Sequence, residues 1–254
     1  MGTFIYDFVH FTACPALLWY WPKKYYENEN AKKKVRGGAL MISNHNSMAD
    51  PMYLMLCIWY RRHHYVCAKE LYSTPFRRWM FTQFLTIPID RENFGMSSFK
   101  EITGHLKKGD LCVIFPEGHV VRGKEGCGCG GDSVPEGSEG GQEQEKEQGG
   151  AKKELEKKSP MVDNLKSGMV LMAYQSGVPV WPVYVRSKQK IFDRLRIAIG
   201  EPVDVKALLG NMPTMDRIEE VARMLGEKEN YLKSLVEGVP YEASETDGGG
   251  NGAQ

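Results

Sequence analysis

Apolar positions along this chain come as short dense runs separated by amphipathic stretches. "GALMIS" (38–43), "HYVCAKE" (64–70), "LTIPID" (85–90), "LCVIFPEG" (111–118), "VPVWPVYV" (178–185) and "RLRIAIGEPV" (194–203) read as strands. The intervening segments fit helices. Asp50-Pro51 marks a start, with Asp50 as N-cap and Pro51 at the first position. "TPFRRWMFTQF" (74–84) is a short amphipathic helix with Pro75 near its start. Ser97 or Ser98 caps another, which stops at Gly109-Asp110. Residues 162–176 and about 215–236 supply two more. Strands that are apolar on both faces and alternate with helices predict an α/β fold. The expected form is a single domain, its sheet mostly parallel or mixed and flanked by helices on both faces. Two prolines in "VPVWPV" predict an edge or irregular strand beside a cleft.

Two regions depart from this pattern. "FIYDFVHFTACPALLWYWPKK" (4–24) is aromatic-rich and lacks a basic leading region. Asp7, His10 and Pro15 weigh against a bilayer span, and Trp19, Tyr20 and Trp21 suit an interface. Residues 1–30 are therefore expected to form a membrane-facing helical segment, with a helix packed on the core or a true span as the alternatives. Residues 123–160 hold ten Gly and eight Glu with almost no large apolar side chains, which predicts a disordered insertion. The expected organisation is an interfacial segment at 1–30, a catalytic domain at 31–240 interrupted by the insertion, and a disordered tail at 241–254.

Charge sharpens the picture. The formal net charge is only +1, but the insertion and the tail contribute −3 each. The remaining body carries about +7, and residues 23–36 alone hold six Lys/Arg against two Glu. Such a body suits phosphates, coenzyme A, acyl carrier protein or acidic lipid. It is too weakly basic to indicate nucleic acid, and no nucleic-acid motif is present. The six cysteines do not space as a disulfide framework, which fits a reducing compartment. Cys127 and Cys129 form a close pair without a second pair or a nearby His, so no metal is expected.

The chemistry centres on "ISNHNSMADP" (42–51). His45 can take a proton, and Asp50, five residues on, could hold its other ring nitrogen. Asp50 is also explained as a helix cap, and Asn44 and Ser47 as turn residues, so these ten residues alone leave both readings open. No Gly-x-Ser-x-Gly elbow appears, so the hydroxyl of a His–Asp system would come from the substrate. Arg91 follows a strand, where a guanidinium could clamp a phosphate. Glu117 and Gly118 close the most apolar strand, where a charge needs a partner or a ligand.

Four blocks in order carry a resemblance: Asn44-His45-x4-Asp50, Ile89-Asp90-Arg91, Phe115-Pro116-Glu117-Gly118, and Val178-Pro179 with Pro182. Over residues 38–205, the insertion aside, the chain resembles the glycerophospholipid acyltransferase family, in its 1-acyl-sn-glycerol-3-phosphate branch. The resemblance implies transfer of a fatty acyl group from acyl-CoA or acyl carrier protein to lysophosphatidic acid, giving phosphatidic acid. It implies His45 as general base and Asp50 as its orienting carboxylate. Arg91, Glu117, Gly118, Lys69 and Asn44 would bind substrate, and backbone N–H groups after Ser43 or at Gly118 would hold the oxyanion. It calls for no cofactor and no metal. It implies membrane lipids as partners and a bacterial, membrane-associated protein at the cytoplasmic face. Another lysophospholipid acceptor, a thioester hydrolase and a non-catalytic lipid-binding homologue are the alternatives. His119 and Val120 depart from the Thr-Arg usual in the family after the third block, which bears on acceptor identity, and Thr86 replaces a common Gly.

Overall fold

The computed structural model describes residues 3–20, 24–26, 28–29, 33–90, 95–116, 160–186 and 194–240. The strands are β1 (Lys24–Tyr26), β2 (Ala39–Ser43), β3 (His63–Ala68), β4 (Ile87–Ile89), β5 (Leu111–Ile114), β6 (Val180–Val185) and β7 (Leu195–Ile199). They form one sheet in the order β1-β7-β6-β2-β5-β3-β4, parallel throughout except for the β6–β7 pair. The helices are α1 (Thr3–Tyr20), α2 (Asp50–Cys57), α3 (Pro75–Gln83), α4 (Met96–Lys107), α5 (Pro160–Ser176), α6 (Val205–Leu209) and α7 (Met215–Glu237). The expected insertion, the tail, Arg91, Glu117 and Gly118 lie outside the described residues.

Strand side chains alternate between two cores, as the two-residue period of a strand requires. Leu40, Ile42, Cys112, Ile114 and Val180 face a core completed by α4, α5, α6 and α7. Ala39, Met41, Leu111, Val113, Trp181 and Val183 face the opposite core, against α1 and α2. Helices thus cover both faces, as the continuous apolar runs predict.

The order of crossings locates the cleft. From β2 the chain crosses under α2 to β3, and α3, which packs beside α1, then leads to β4. From β4 it returns over the other face through α4 to β5, and from β5 through α5 it passes β2 to reach β6. Opposite directions on opposite faces keep every crossover of one hand. β2 and β5 are neighbours whose outgoing chains leave to opposite faces, and such a switch point opens a crevice at the carboxyl ends of the strands.

Several expectations change. β6 is not an edge strand but sits buried between β2 and β7. Gly200 N–H donates to the Pro182 carbonyl, and Val180 and Val203 exchange both their backbone bonds. Two steps along β6 therefore oppose three on the β7 side. The bulge lies beside Pro182, which has no N–H to give the β7 side. A side chain at Gly200 would lie 2.7 Å from the Pro182 ring, so the close approach needs glycine. The helix at Asp50 starts one residue earlier than read, with Ala49 as N-cap and no side chain capping it. The 64–70 strand ends at Ala68, and Lys69–Tyr72 form a 3-10 turn.

α1 docks by one side only. Tyr6 and Cys14 are buried, His10 Nε2 meets the Trp59 carbonyl at 2.8 Å, and Arg62 donates twice to Asp7 at 2.9 and 2.7 Å. Phe4, Phe8, Phe11 and Trp19 face outward, each at least 60% exposed. Among the described residues no helix is long and apolar enough to cross a membrane.

Candidate active site

The last residue of β2, Ser43, hands the chain to a tight turn that folds back before α2. Asp50 N–H donates to the Ser47 carbonyl, and that turn brings the Asp50 carboxylate over the residues preceding it. Its Oδ2 accepts from the backbone N–H of Asn46 at 2.7 Å and of Ser47 at 2.8 Å. The same oxygen meets His45 Nδ1 at 3.1 Å. The carboxylate is almost wholly buried, whereas the imidazole keeps 16% of its surface open. A buried charge needs this many donors, and three donors leave the carboxylate one orientation. Asp50 is therefore both a residue of the helix's first turn and the partner of His45, and its oxygen serves the turn rather than the helix end. The Asn46 and Ser47 N–H groups, in the turn after Ser43, are engaged by Asp50.

Asn44, expected to bind substrate, is buried, and its amide is occupied by protein. Nδ2 donates to the Val185 carbonyl and Oδ1 accepts from the Val185 N–H, both at 2.8 Å. The side chain imitates a further strand residue and carries the β2–β6 pairing past the end of β2. It positions His45 from behind. Lys69 is exposed at the carboxyl end of β3, on the same edge of the sheet as His45. Arg91, Glu117 and Gly118 lie outside the described residues. Asp90 and Pro116, which precede them, follow the carboxyl ends of β4 and β5.

The ring of Phe115, the first residue after β5, stacks on His45 with centroids 4.4 Å apart and planes 25° apart. This contact spans the crevice between β2 and β5. Beside it opens a cavity of about 270 Å³, whose wall includes His45, Tyr65, Leu71, Phe81, Phe84 and Phe115. Its lining is overwhelmingly apolar, with Thr86 among the few polar contributors. α3 reaches it because its end is sharply turned. Thr86 N–H bonds to the Phe81 carbonyl and Leu85 N–H to the Thr82 carbonyl, which is a Schellman close. The left-handed position falls on Leu85 (φ 56°), where glycine is usual. Tyr65 hydroxyl holds the Pro51 carbonyl at 2.5 Å and fixes α2 over the cavity.

Neither the Phe115 ring on His45 nor the cavity is among the features the sequence pattern predicts. Phe115 was visible as the residue before Pro116-Glu117. The cavity wall combines residues from β3, the 3-10 turn, α3, β4 and β5, and no local spacing announces it.

A family model described as Acyltransferase matches residues 23–186, more than half of the chain. The 1-acyl-sn-glycerol-3-phosphate acyltransferase of Bacillus subtilis (strain 168) is 24% identical over 219 residues, covering 84% of this chain and 89% of that protein. A crystal structure of the 1-acyl-sn-glycerophosphate (LPA) acyltransferase PlsC from Thermotoga maritima aligns with 87% of this chain and 78% of its own. Its sequence identity is 20% and the TM-score 0.45.

Proposed function

The chain belongs to the acyltransferase family, and on that premise we propose that it moves a fatty acyl group from an acyl thioester to the free hydroxyl of 1-acyl-glycerol-3-phosphate, giving phosphatidic acid. The observation that carries this reading is an oriented His45–Asp50 pair opening onto an apolar cavity. With Nδ1 directed to Asp50, Nε2 is the nitrogen that takes the acceptor's proton. The resulting oxygen attacks the thioester carbonyl, the thiol leaves, and the imidazolium is stabilised by the buried carboxylate. The cavity suits the hydrocarbon of an acyl chain, since burying each methylene is worth about 0.8 kcal/mol. The donor is acyl-CoA or acyl carrier protein, and the mechanism needs no metal or bound cofactor. Arg91 is assigned to the acceptor phosphate, with Glu117, Gly118 and Lys69 around it, on the block resemblance and on the positions of the strand ends. The relative named for 1-acyl-sn-glycerol-3-phosphate chemistry supports that acceptor.

The outward aromatic side of α1, together with exposed Phe76 and Trp79 on neighbouring α3, supports a membrane-lying face. The basic run at 23–36 would meet anionic headgroups at the cytoplasmic face.

The test is radiolabelled acyl-CoA supplied with and without lysophosphatidic acid. Labelled phosphatidic acid is expected, and His45→Ala should reduce it by at least roughly 10²-fold with the thermal transition retained. An undiminished rate in that variant overturns the mechanism. Free fatty acid without acceptor dependence would make the protein a hydrolase, and no turnover with either donor would make it a lipid-binding homologue. Arg91→Ala should raise the KM for a phosphate-bearing acceptor more than for an uncharged one, and equal effects remove its assigned role.

A further inference from the structure

A second group of titratable side chains stands at the opposite edge of the sheet, remote from His45 in the fold. His64 is the second residue of β3 and projects to the α4 face, as Val66 does two residues later. His105 lies in the last turn of α4, and Asp110 follows the turn that leads into β5. Gly109 (φ 91°) makes that turn, and Asp110 N–H returns to the His105 carbonyl. The three side chains converge on one oxygen. His105 Nδ1 is 2.8 Å from Asp110 Oδ2, and His64 Nε2 is 3.6 Å from the same atom. The two imidazoles overlap with centroids 4.3 Å apart.

From this geometry we propose that His64, His105 and Asp110 form a binding site for a divalent transition-metal ion of the Zn²⁺ class. One ligand atom from each residue lies within 4.8 Å of the other two. Ligands about 2.0–2.1 Å from a tetrahedral ion stand roughly 3.3 Å apart. The observed 2.8 and 3.6 Å bracket that spacing, so the ion enters with small rotamer shifts. Two imidazoles and one carboxylate are the donor set of zinc sites with an open position, and they disfavour Ca²⁺ and Mg²⁺, which take oxygen alone. All three side chains are partly exposed, which gives the ion a path and its fourth position a water.

Both rings coordinate as neutral imidazoles, with the proton on the far nitrogen. Arg62 and Lys108 add positive potential at His64 and oppose the ion, but Arg62 is engaged by Asp7. The bound ion would pin the start of β3 to the α4–β5 turn. The site is independent of the acyl-transfer reading.

The probe is Co²⁺, followed by Zn²⁺, added to chelator-stripped full-length protein. Cys127 and Cys129 form a close thiol pair that would compete for the ion, so the background is the Cys127→Ser, Cys129→Ser variant. One equivalent of Co²⁺ is expected to bind with visible bands of tetrahedral cobalt and no thiolate charge-transfer band. Zn²⁺ should displace it and raise the melting temperature. His105→Gln and, separately, His64→Gln should each weaken Co²⁺ binding at least 100-fold while retaining a cooperative thermal transition. His105 ends a helix at the surface, so its variant keeps the test open if His64→Gln fails to fold. Failure of Co²⁺ to bind in the Cys127→Ser, Cys129→Ser background, or binding unaffected by His105→Gln, overturns the site.

Discussion

The chain contains the spacing His-x4-Asp twice, and the two copies do different things. His45 and Asp50 span a turn that leaves a strand and enters a helix, at the carboxyl edge of the sheet. His105 and Asp110 span a turn that leaves a helix and enters a strand, at the opposite edge. In both, imidazole Nδ1 meets carboxylate Oδ2, at 3.1 and 2.8 Å. The first carboxylate is buried and accepts two backbone N–H bonds. The second is one-third exposed and meets a second histidine instead. The first imidazole lines an apolar cavity, and the second stacks on His64. Spacing makes the pair, but the surroundings delivered by the sheet decide its chemistry. A strand's carboxyl end at a switch point supplies a crevice, and its amino end supplies a surface turn.

Substituting the two carboxylates tests this contrast with the largest effect. Asp50→Ala leaves two buried backbone donors unpaired and releases His45. It should lower acyl transfer by about 10³-fold or more and destabilise by roughly 2–4 kcal/mol. Asp110→Ala in metal-free protein should cost about 1 kcal/mol or less, because an exposed partner is replaced by water. Denaturant midpoints for both variants decide it, and equal losses would erase the distinction between the edges. Next is Asn44→Ala, which strands the Val185 N–H and carbonyl. About 2 kcal/mol of stability should go, with kcat falling because His45 loses its backing. A variant of normal stability would refute the stitch.

Smaller effects probe each edge separately. Leu71→Trp should shorten the cavity beside His45. The kcat/KM ratio of long to short acyl donors is expected to fall about tenfold, equivalent to two methylenes excluded. A ratio unchanged from wild type would move the acyl chain elsewhere. At the amino edge His63 is fully buried, and among the described residues neither ring nitrogen has a hydrogen-bond partner. Burial pushes its pKa down to about 3, so the folded state keeps it neutral while the unfolded chain protonates it below about 6.5. Stability from this group is complete above that value and is lost as pH falls from about 6.5 toward 3. His63→Phe should therefore be neutral or gain about 1 kcal/mol at pH 7.5, and gain more at pH 5, in chelator-containing buffer. Melting curves at the two pH values check it, and a gain that shrinks on acidification contradicts the buried neutral ring. Leu85→Gly should change stability least, by less than about 1 kcal/mol, as relief of the left-handed strain is offset by chain entropy and lost packing.

Much of this was readable in the chain because central parallel strands are apolar on both faces. β2 and β5 were legible from "ALMIS" and "LCVI", and the His45–Asp50 pair from its place after the first of them. β1 was not, since Lys24-Tyr25-Tyr26 holds an edge by backbone pairing with β7. The five-residue α6 was too short to show a period. β6 was misplaced because its one proline, Pro182, faces a bulge on the partner strand, which a one-strand reading does not see. The stitch from Asn44 to Val185 was not legible, because the two residues lie 141 positions apart. His64 looked like an ordinary strand residue for a similar reason, since the helix end that meets it is formed some 40 positions later.

The three-way hold on Asp50 has a consequence for turnover. A carboxylate free to rotate would reorganise each time the neighbouring ring gained or lost a proton, and that reorganisation would add to every barrier. Two main-chain donors prevent it. In the proposed mechanism, when His45 is charged the oxygen is already in place, and when the proton leaves with the thiol nothing swings back. The alignment is built into the turn between β2 and α2, so the proposed cycle needs no resetting step.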